Sequence, residues 1–277
     1  MNSENKRYKI ILTGGGTGGS VTPLLAVAEE LKIPQTPFDK GGNKFEFLWL
    51  GTKFGPEREM VEKAGIKFRA ISGGKWRRYF SFKNLIDILK IKIGFWQAFF
   101  MMLKSRPDLA ISAGSFISVP VIWAAWILRV PVLIHQQDIV PGLANKLMAP
   151  FAKIVTVTFE SSLKDYGEKA MWIGNPIRRE ILNFKFEIRE LKKKFDLNEN
   201  LPVVLILGGG TGAMMINKLV KNSLAELTKF CQVIYVTGKD KSVLSNELRI
   251  MNYGKYEFFD AKQMARAMGA ADLVVTR

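Results

Sequence analysis

Two glycine-rich turns carry the most chemistry in this 277-residue chain. The first runs Ile10-Ile-Leu-Thr-Gly-Gly-Gly-Thr-Gly-Gly-Ser-Val-Thr-Pro and ends at Pro23. The second runs Val204-Leu-Ile-Leu-Gly-Gly-Gly-Thr-Gly-Ala-Met-Met-Ile-Asn and ends at Asn217. In each, a short apolar segment meets glycines and then a helical pattern. Such a turn aims backbone N–H groups and a helix N-terminus at one point, which suits a phosphate or another anion. One such turn also reads as a tight strand-to-helix connection with no ligand. A matched pair, a domain's length apart, points to two facing α/β domains with a ligand between them.

The spacing narrows the ligand. Gly14, Gly16 and Gly19 fit G-x-G-x-x-G, and Gly208, Gly210 and Ala213 fit its G-x-G-x-x-A variant. A dinucleotide site also needs an acid at the end of the next strand, to hold the ribose. The strand after the first turn ends Leu48-Trp-Leu-Gly-Thr-Lys, without an acid. The strand after the second ends Tyr235-Val-Thr-Gly-Lys-Asp, with Asp240 past its end. Both sequences count against a dinucleotide-binding oxidoreductase. Neither turn closes in Gly-Lys-Ser/Thr, so a P-loop is excluded.

The elements that must hold these turns alternate. Strands are expected at Tyr8–Thr13, Phe45–Leu50, Lys67–Ile71, Leu109–Ser112, Pro131–His135 and Lys153–Val157. Helices are expected at Leu24–Leu31, Pro56–Ala64, Phe82–Lys104, Ser118–Leu128 and Gly142–Ala149. Alternation of this kind means a parallel sheet with helices on both faces. A bridge centred on Gly174-Asn-Pro-Ile-Arg-Arg comes next, with a charged helix near Phe186–Phe195. The pattern then restarts with strands Val203–Leu207, Val233–Thr237, Tyr256–Phe259 and Leu273–Thr276, and helices Gly212–Phe230 and Lys262–Gly269.

The net charge of +16 favours polyanionic partners, either nucleic acid or anionic lipid. No DNA- or RNA-binding motif is present, so the charge is assigned to lipid. Basic and aromatic residues crowd Lys75-Trp-Arg-Arg-Tyr-Phe-Ser-Phe-Lys and continue through Lys90, Lys92, Phe95, Trp96, Phe99, Phe100 and Lys104. Trp76, Arg77, Arg78 and Tyr79 fall in a loop and are the preferred membrane contacts. The four aromatics from Phe95 to Phe100 have the spacing of a helix covering its own sheet. No segment reaches the ~20 apolar residues of a spanning helix. The single cysteine, Cys231, excludes an intramolecular disulfide and reads as a small buried hydrophobe. No metal-ligand cluster or cofactor motif appears.

Further segments resemble one family in its own order. Gly15-Gly-Thr-Gly-Gly-Ser-Val-Thr-Pro, followed by Leu25-Ala-Val-Ala, resembles the first glycine loop of the MurG glycosyltransferases. Gly114-Ser-Phe-Ile-Ser-Val-Pro resembles their second loop. His135-Gln-Gln-Asp resembles their His-Glu-Gln-Asn segment, and Pro141-Gly-Leu-Ala-Asn-Lys resembles the family's Gly-Leu-x-Asn-Lys run. Gly174-Asn-Pro-Ile-Arg resembles the domain junction, and Gly208-Gly-Gly-Thr-Gly-Ala the loop of the second domain. Ala271-Asp-Leu-Val-Val-Thr-Arg resembles the approach to the donor-sugar site.

The resemblance implies a GT-B fold: two Rossmann-like, doubly wound parallel-sheet domains facing across a cleft. Residues 1–173 would form the acceptor and membrane domain, and residues 174–277 part of the UDP-sugar domain. The implied reaction moves GlcNAc from UDP-GlcNAc to the MurNAc C4 hydroxyl of undecaprenyl-pyrophosphoryl-MurNAc-pentapeptide, with inversion and without a metal. It would occur peripherally, on the cytoplasmic side of the cell membrane, and supply peptidoglycan for cell shape and division. Thr17, Gly18, Gly19, Asp138, Arg178 and Gly210 align with UDP-GlcNAc contacts. Gly15, Gly16, Gly114, Ser115 and Asn145 align with the acceptor and phosphate loops. By itself, Arg178 reads equally as a solvated charge beside Arg179.

Two departures bear on catalysis. The family's first loop usually ends in His, a candidate base, where this chain has Ser20. The chain's only histidine is His135, and Asp138 replaces an amide. The catalytic candidates are therefore Asp138, His135 and Ser20, with Asp138, or His135 oriented by it, expected to remove the proton. The family's next donor-site helix would begin after Arg277, so the sequence reads as C-terminally truncated. Three alternatives stay open: another lipid-acceptor GT-B transferase, such as a diacylglycerol glycosyltransferase; a Rossmann oxidoreductase; and a non-catalytic remnant.

Overall fold

A computed structural model describes residues 7–32, 44–74, 82–182, 188–208, 213–238 and 252–276. The chain divides into two compact units, Met1–Arg178 and Arg179–Arg277. In the first, the elements run β1 (Tyr8–Thr13), α1 (Thr22–Lys32), β2 (Phe45–Gly51), α2 (Glu57–Lys63), β3 (Lys67–Ala70), α3 (Phe82–Ser105) and β4 (Leu109–Ser112). They continue with α4 (Ser118–Ile127), β5 (Val132–Gln136), α5 (Leu143–Met148), β6 (Ile154–Val157) and β7 (Ala170–Trp172). The seven strands form one sheet in the order β3-β2-β1-β4-β5-β6-β7, with every pairing parallel.

A parallel sheet is buried on both faces, so its central strands are apolar at successive positions. β1 shows how the pleat divides them. Ile11 faces one core with Ala98 and Met102 of α3, several α4 residues and Met148 of α5. Its neighbours Ile10 and Leu12 face the opposite core, with Leu24, Leu25 and Ala28 of α1 and Val61 of α2. Helix α1 starts at Thr22-Pro23, where proline's fixed φ and missing N–H are tolerated.

The second unit holds α6 (Arg179–Leu182), α7 (Ile188–Lys193), β8 (Val203–Leu207), α8 (Met214–Leu227), β9 (Gln232–Val236), β10 (Tyr253–Tyr256), α9 (Ala261–Ala270) and β11 (Leu273–Val275). Its parallel sheet has the order β10-β9-β8-β11. Val203 and Leu205 face a core with Leu191 of α7 and Ala267 of α9, whereas Val204 and Ile206 face Val220 and Leu224 of α8. Helix α9 carries a capping box: the Asp260 carboxylate accepts from the Gln263 backbone N–H at 2.8 Å, and the Gln263 side chain accepts from Asp260 N–H at 3.0 Å.

Both units are the doubly wound parallel sheets expected of a GT-B chain. Two local expectations are corrected and one strand is added. The strand expected at Tyr256–Phe259 lies earlier, at Tyr253–Tyr256, in register with Val233–Val236. Phe259 instead plugs the core, with its ring 4.7 Å from Tyr256 and 5.9 Å from Phe195. β7 was not foreseen, since a three-residue edge strand shows no period. The charged helix near Phe186–Phe195 spans only Ile188–Lys193 among the described residues. The first unit also retains the Gly174–Arg178 bridge, five residues beyond the expected boundary. Two bonds tie that bridge back: His135 Nε2 to Asn175 Oδ1 at 3.2 Å, and Arg178 Nε to Glu29 Oε2 at 3.4 Å.

Candidate active site

In the first unit, β1 and β4 are neighbours, yet β1 connects onward to β2 on one side and β4 to β5 on the other. Connections that diverge in this way leave a crevice at the carboxyl ends of the strands, where open α/β sheets bind ligands. The first glycine loop leaves β1 there, and the Gly114 loop leaves β4.

The first loop is tied from beneath at three consecutive positions. The Trp49 indole donates to the Gly14 carbonyl at 3.0 Å. The Gly15 N–H donates to Ser20 Oγ at 3.0 Å, and the Gly16 N–H donates to Glu57 Oε2 at 3.1 Å. Trp49 and Glu57 are fully buried, and Ser20 nearly so. Gly16 adopts a left-handed φ of +79°, which glycine reaches without a steric penalty. Beyond these anchors the tip is open: Thr17 and Gly19 are exposed, and Gly18 is half-buried.

The second loop is tied locally. The Gly114 N–H donates to Ser112 Oγ at 3.1 Å, and Ser118 Oγ donates to the Gly114 carbonyl at 2.7 Å. Gly114 and Ser115 both have left-handed backbones, with φ of +94° and +82°. For serine that conformation is strained, and strain of this kind concentrates at functional sites. Thr13 Oγ1 at the end of β1 donates to the Leu50 carbonyl at 3.0 Å and lies 3.4 Å from Ser118 Oγ, linking the roots of the two loops.

A polar network lies beside them. Gln136 Oε1 accepts from Asn145 Nδ2 and from the Tyr166 hydroxyl, the latter at 3.0 Å. Asn145 Oδ1 is buried and faces Gly114, with no geometrically good hydrogen-bond partner among the described residues. Burial pushes the Tyr166 hydroxyl up to about 12, so it stays protonated and able to donate. The His135 ring is buried with both nitrogens engaged, Nδ1 with Thr156 Oγ1 at 3.0 Å and Nε2 with Asn175 Oδ1. Desolvation lowers its pKa, partly offset by the Asn175 bond, so the imidazole is neutral at pH 7. Asp138 is exposed just past β5, and its carboxylate has no hydrogen-bond or ion-pair partner among the described residues. Arg178 is half-buried against α1 through Glu29.

Residues 10–157 match the glycosyltransferase family 28 N-terminal domain, and residues 203–277 match its C-terminal domain. The chain belongs to glycosyltransferase family 28. A relative from Clostridium kluyveri is 42% identical over 97% of this chain and 73% of its own length. One from Clostridium perfringens is 39% identical over 98% and 73%. Both carry the name UDP-N-acetylglucosamine–N-acetylmuramyl-(pentapeptide) pyrophosphoryl-undecaprenol N-acetylglucosamine transferase. Among solved structures, Acinetobacter baumannii MurG is 22% identical with a TM-score of 0.62, covering 97% of this chain and 71% of that one. Neisseria meningitidis UDP-GlcNAc 2-epimerase, bound to UDP-GlcNAc, is 15% identical with a TM-score of 0.68, covering 97% and 77%. An epimerase and a transferase on one fold illustrate that architecture alone does not choose the reaction.

Within this family 28 chain, the first unit brings Gly15, Gly16, Thr17, Gly18, Gly19, Ser20, Gly114, Ser115, His135, Asp138 and Asn145 to the carboxyl ends of β1, β4 and β5 or to the adjoining loops and helix. The Ser20 hydroxyl is spent on Gly15, and the His135 ring is held between Thr156 and Asn175. Of the catalytic candidates, Asp138 alone is exposed. Gly210, Trp76, Arg77, Arg78 and Tyr79 lie outside the described residues. Among the described residues, no group of three or more His, Cys, Asp and Glu could hold a metal ion. Sequence reasoning missed Glu57 and Trp49. The one signal for Glu57 was an acid placed at a helix start directly after Gly55-Pro56.

Proposed function

We propose that this chain transfers GlcNAc from UDP-GlcNAc to the MurNAc C4 hydroxyl of undecaprenyl-pyrophosphoryl-MurNAc-pentapeptide, with inversion at the anomeric carbon. The observation that carries this reading is the 42% identity over 97% of the chain to a transferase named for that donor and acceptor. The first unit is the acceptor domain and the second the UDP-sugar domain. Asp138 takes the C4 hydroxyl proton as the oxygen attacks the anomeric carbon and the bond to UDP breaks. Its support is an exposed carboxylate with no partner among the described residues, just past the end of a central strand. His135 and Ser20 act as positioning groups, the first holding Asn175 and the second holding Gly15. The exposed Thr17–Gly19 tip and Arg178 contact the donor sugar nucleotide. Gly114, Ser115 and Asn145 receive the acceptor diphosphate, and the N-terminus of α8 with the Gly210 backbone receives the departing UDP.

The enzyme works peripherally at the cytoplasmic face of the membrane. No helix among the described residues is long and apolar enough to cross a bilayer. Helix α3 instead carries Ile86, Leu89, Ile93, Trp96, Phe100 and Leu103 exposed along one stripe, with Trp96 54% and Phe100 60% accessible. Phe95 and Phe99 turn inward against the core. The aromatic run therefore splits between packing and exposure, and the exposed half, with Lys90, Lys92 and Lys104 on the same helix, suits anionic lipid. The test is to incubate the protein, expressed from its complete reading frame, with labelled UDP-GlcNAc and the lipid-linked MurNAc acceptor. Label in a lipid-linked disaccharide is expected. Label transferred only to diacylglycerol, or not at all, would overturn the reading.

A further inference from the structure

Glu57 lies fully buried beneath the first glycine loop. Its Oε2 accepts from the Gly16 N–H at 3.1 Å. Its Oε1 accepts from the Thr52 N–H at 2.7 Å and from the Thr52 hydroxyl. Burying a carboxylate is costly unless hydrogen bonds replace its water, and here three donors do so. The backbone is shaped around it as well: a β-carbon at Gly15 or Gly55 would collide with the carboxylate, and one at Gly51 would press on its Cγ at 3.2 Å. Two glycines from two different loops, Gly15 and Gly55, thus make room for one carboxylate, and Gly51 at the end of β2 leaves space for both Phe68 and the Glu57 stem. A core that needed only to be filled would use an apolar residue there, at no desolvation cost.

We infer that Glu57 is a positioning residue for glycosyl transfer: it turns the Gly15–Gly16 peptide inward, so that the Thr17–Gly19 tip is presented outward in one fixed geometry. The inference rests on the transferase reading above. The Gly16 and Thr52 N–H groups can only donate, so each needs an acceptor oxygen of its own. A glutamine must direct its amide nitrogen at a backbone N–H on one side or the other, and so releases either Gly16 or Thr52. Loss of a positioning group misplaces the reacting atoms more than it weakens ground-state binding, so it falls on kcat more than on KM.

The experiment compares Glu57→Gln, Glu57→Asp and Val61→Ala with the parent in the labelled-sugar assay. Rates are normalised to folded protein, and amide exchange is followed across residues 14–19. Val61 lies fully buried on the same helix and serves as the control for lost packing. For Glu57→Gln, kcat per folded molecule is expected to fall about tenfold or more, with the KM for UDP-GlcNAc within about threefold of the parent. Protection at residues 14–19 should be lost with it. Val61→Ala should melt earlier while kcat per folded molecule holds. A Glu57→Gln kcat within about twofold of the parent overturns the inference where protection at residues 14–19 is lost, as does an equal loss in Val61→Ala; where that protection is kept, the amide oxygen still holds Gly16 and Glu57→Asp decides. If Glu57→Gln does not fold, Glu57→Asp decides: its shortened carboxylate should lower kcat at least about threefold, and an unchanged kcat overturns the proposal. If the parent transfers no sugar, the transferase reading fails by itself. Exchange then judges the tether: lost protection confined to 14–19 sustains it, and unchanged protection overturns it.

Discussion

The two glycine loops of the first unit sit at adjacent strand ends but are held in opposite ways. The Gly14–Ser20 loop is fastened largely from afar: Trp49 of β2 and Glu57 of α2 grip backbone groups from below. The Gly114–Ser118 loop is fastened mainly by its own neighbours, Ser112 and Ser118, with one distant donor, Gln137 Nε2, on the Ala113 carbonyl at its root, and holds a serine in a left-handed conformation. Distant anchors leave the tip of the first loop exposed with its root immobilised. Local anchors give the second loop a stored strain at Ser115, and the buried Asn145 Oδ1 of α5 faces it. The first loop thus owes more of its shape to tertiary packing, and the second more to its own sequence.

Substitutions can sharpen that contrast. The largest effect on stability is expected at Trp49→Phe, which strands the buried Gly14 carbonyl and opens a cavity, at a cost of about 2–4 kcal/mol in denaturant titration. A loss under ~0.5 kcal/mol would mean that the first loop does not depend on its distant anchor. In the second loop, Gly114→Ala forces a β-carbon into a left-handed residue 3.3 Å from Asn145 Oδ1, and should cost about 1–2 kcal/mol. Ser115→Gly should act in the opposite sense, gaining about 0.5–1 kcal/mol as the strain is relieved. If Ser115→Gly destabilised the protein, the strained-loop half of the comparison would be wrong.

A smaller, pH-dependent effect belongs to His135. Its folded pKa lies below the ordinary value, so between the two the unfolded chain takes up a proton that the folded chain refuses. The stability tied to this ring is full above about pH 6.5 and declines as pH falls. Melting temperature should therefore drop on acidification through that range, and His135→Gln should flatten the profile there. An identical profile in the variant would remove His135 from the account.

What could be read from sequence shows the same division between local and distant causes. β1 and β8 were legible because a buried parallel strand is a continuous apolar run, and both run straight into glycines. The Gly114-Ser-Phe-Ile-Ser segment was legible as a loop through its resemblance to the family's second glycine loop. Strand β10 was misplaced because Gly254 and Lys255 interrupt its apolar pattern, while Phe259 beyond it is apolar for packing reasons. Glu57 was invisible as a loop anchor because its partner Gly16 lies 41 residues away and meets it only through the sheet. The fates of Trp96 and Phe95 could not be separated either, as neighbouring aromatics on a helix differ only in the face they present.

We propose that the base in this transferase is the exposed Asp138 carboxylate and not the His135 imidazole. The most direct measurement is the steady-state transfer rate of Asp138→Asn in protein expressed from the complete reading frame. We expect kcat to fall by about 100-fold or more, with the KM for UDP-GlcNAc within about threefold. Full turnover in that variant would contradict the account.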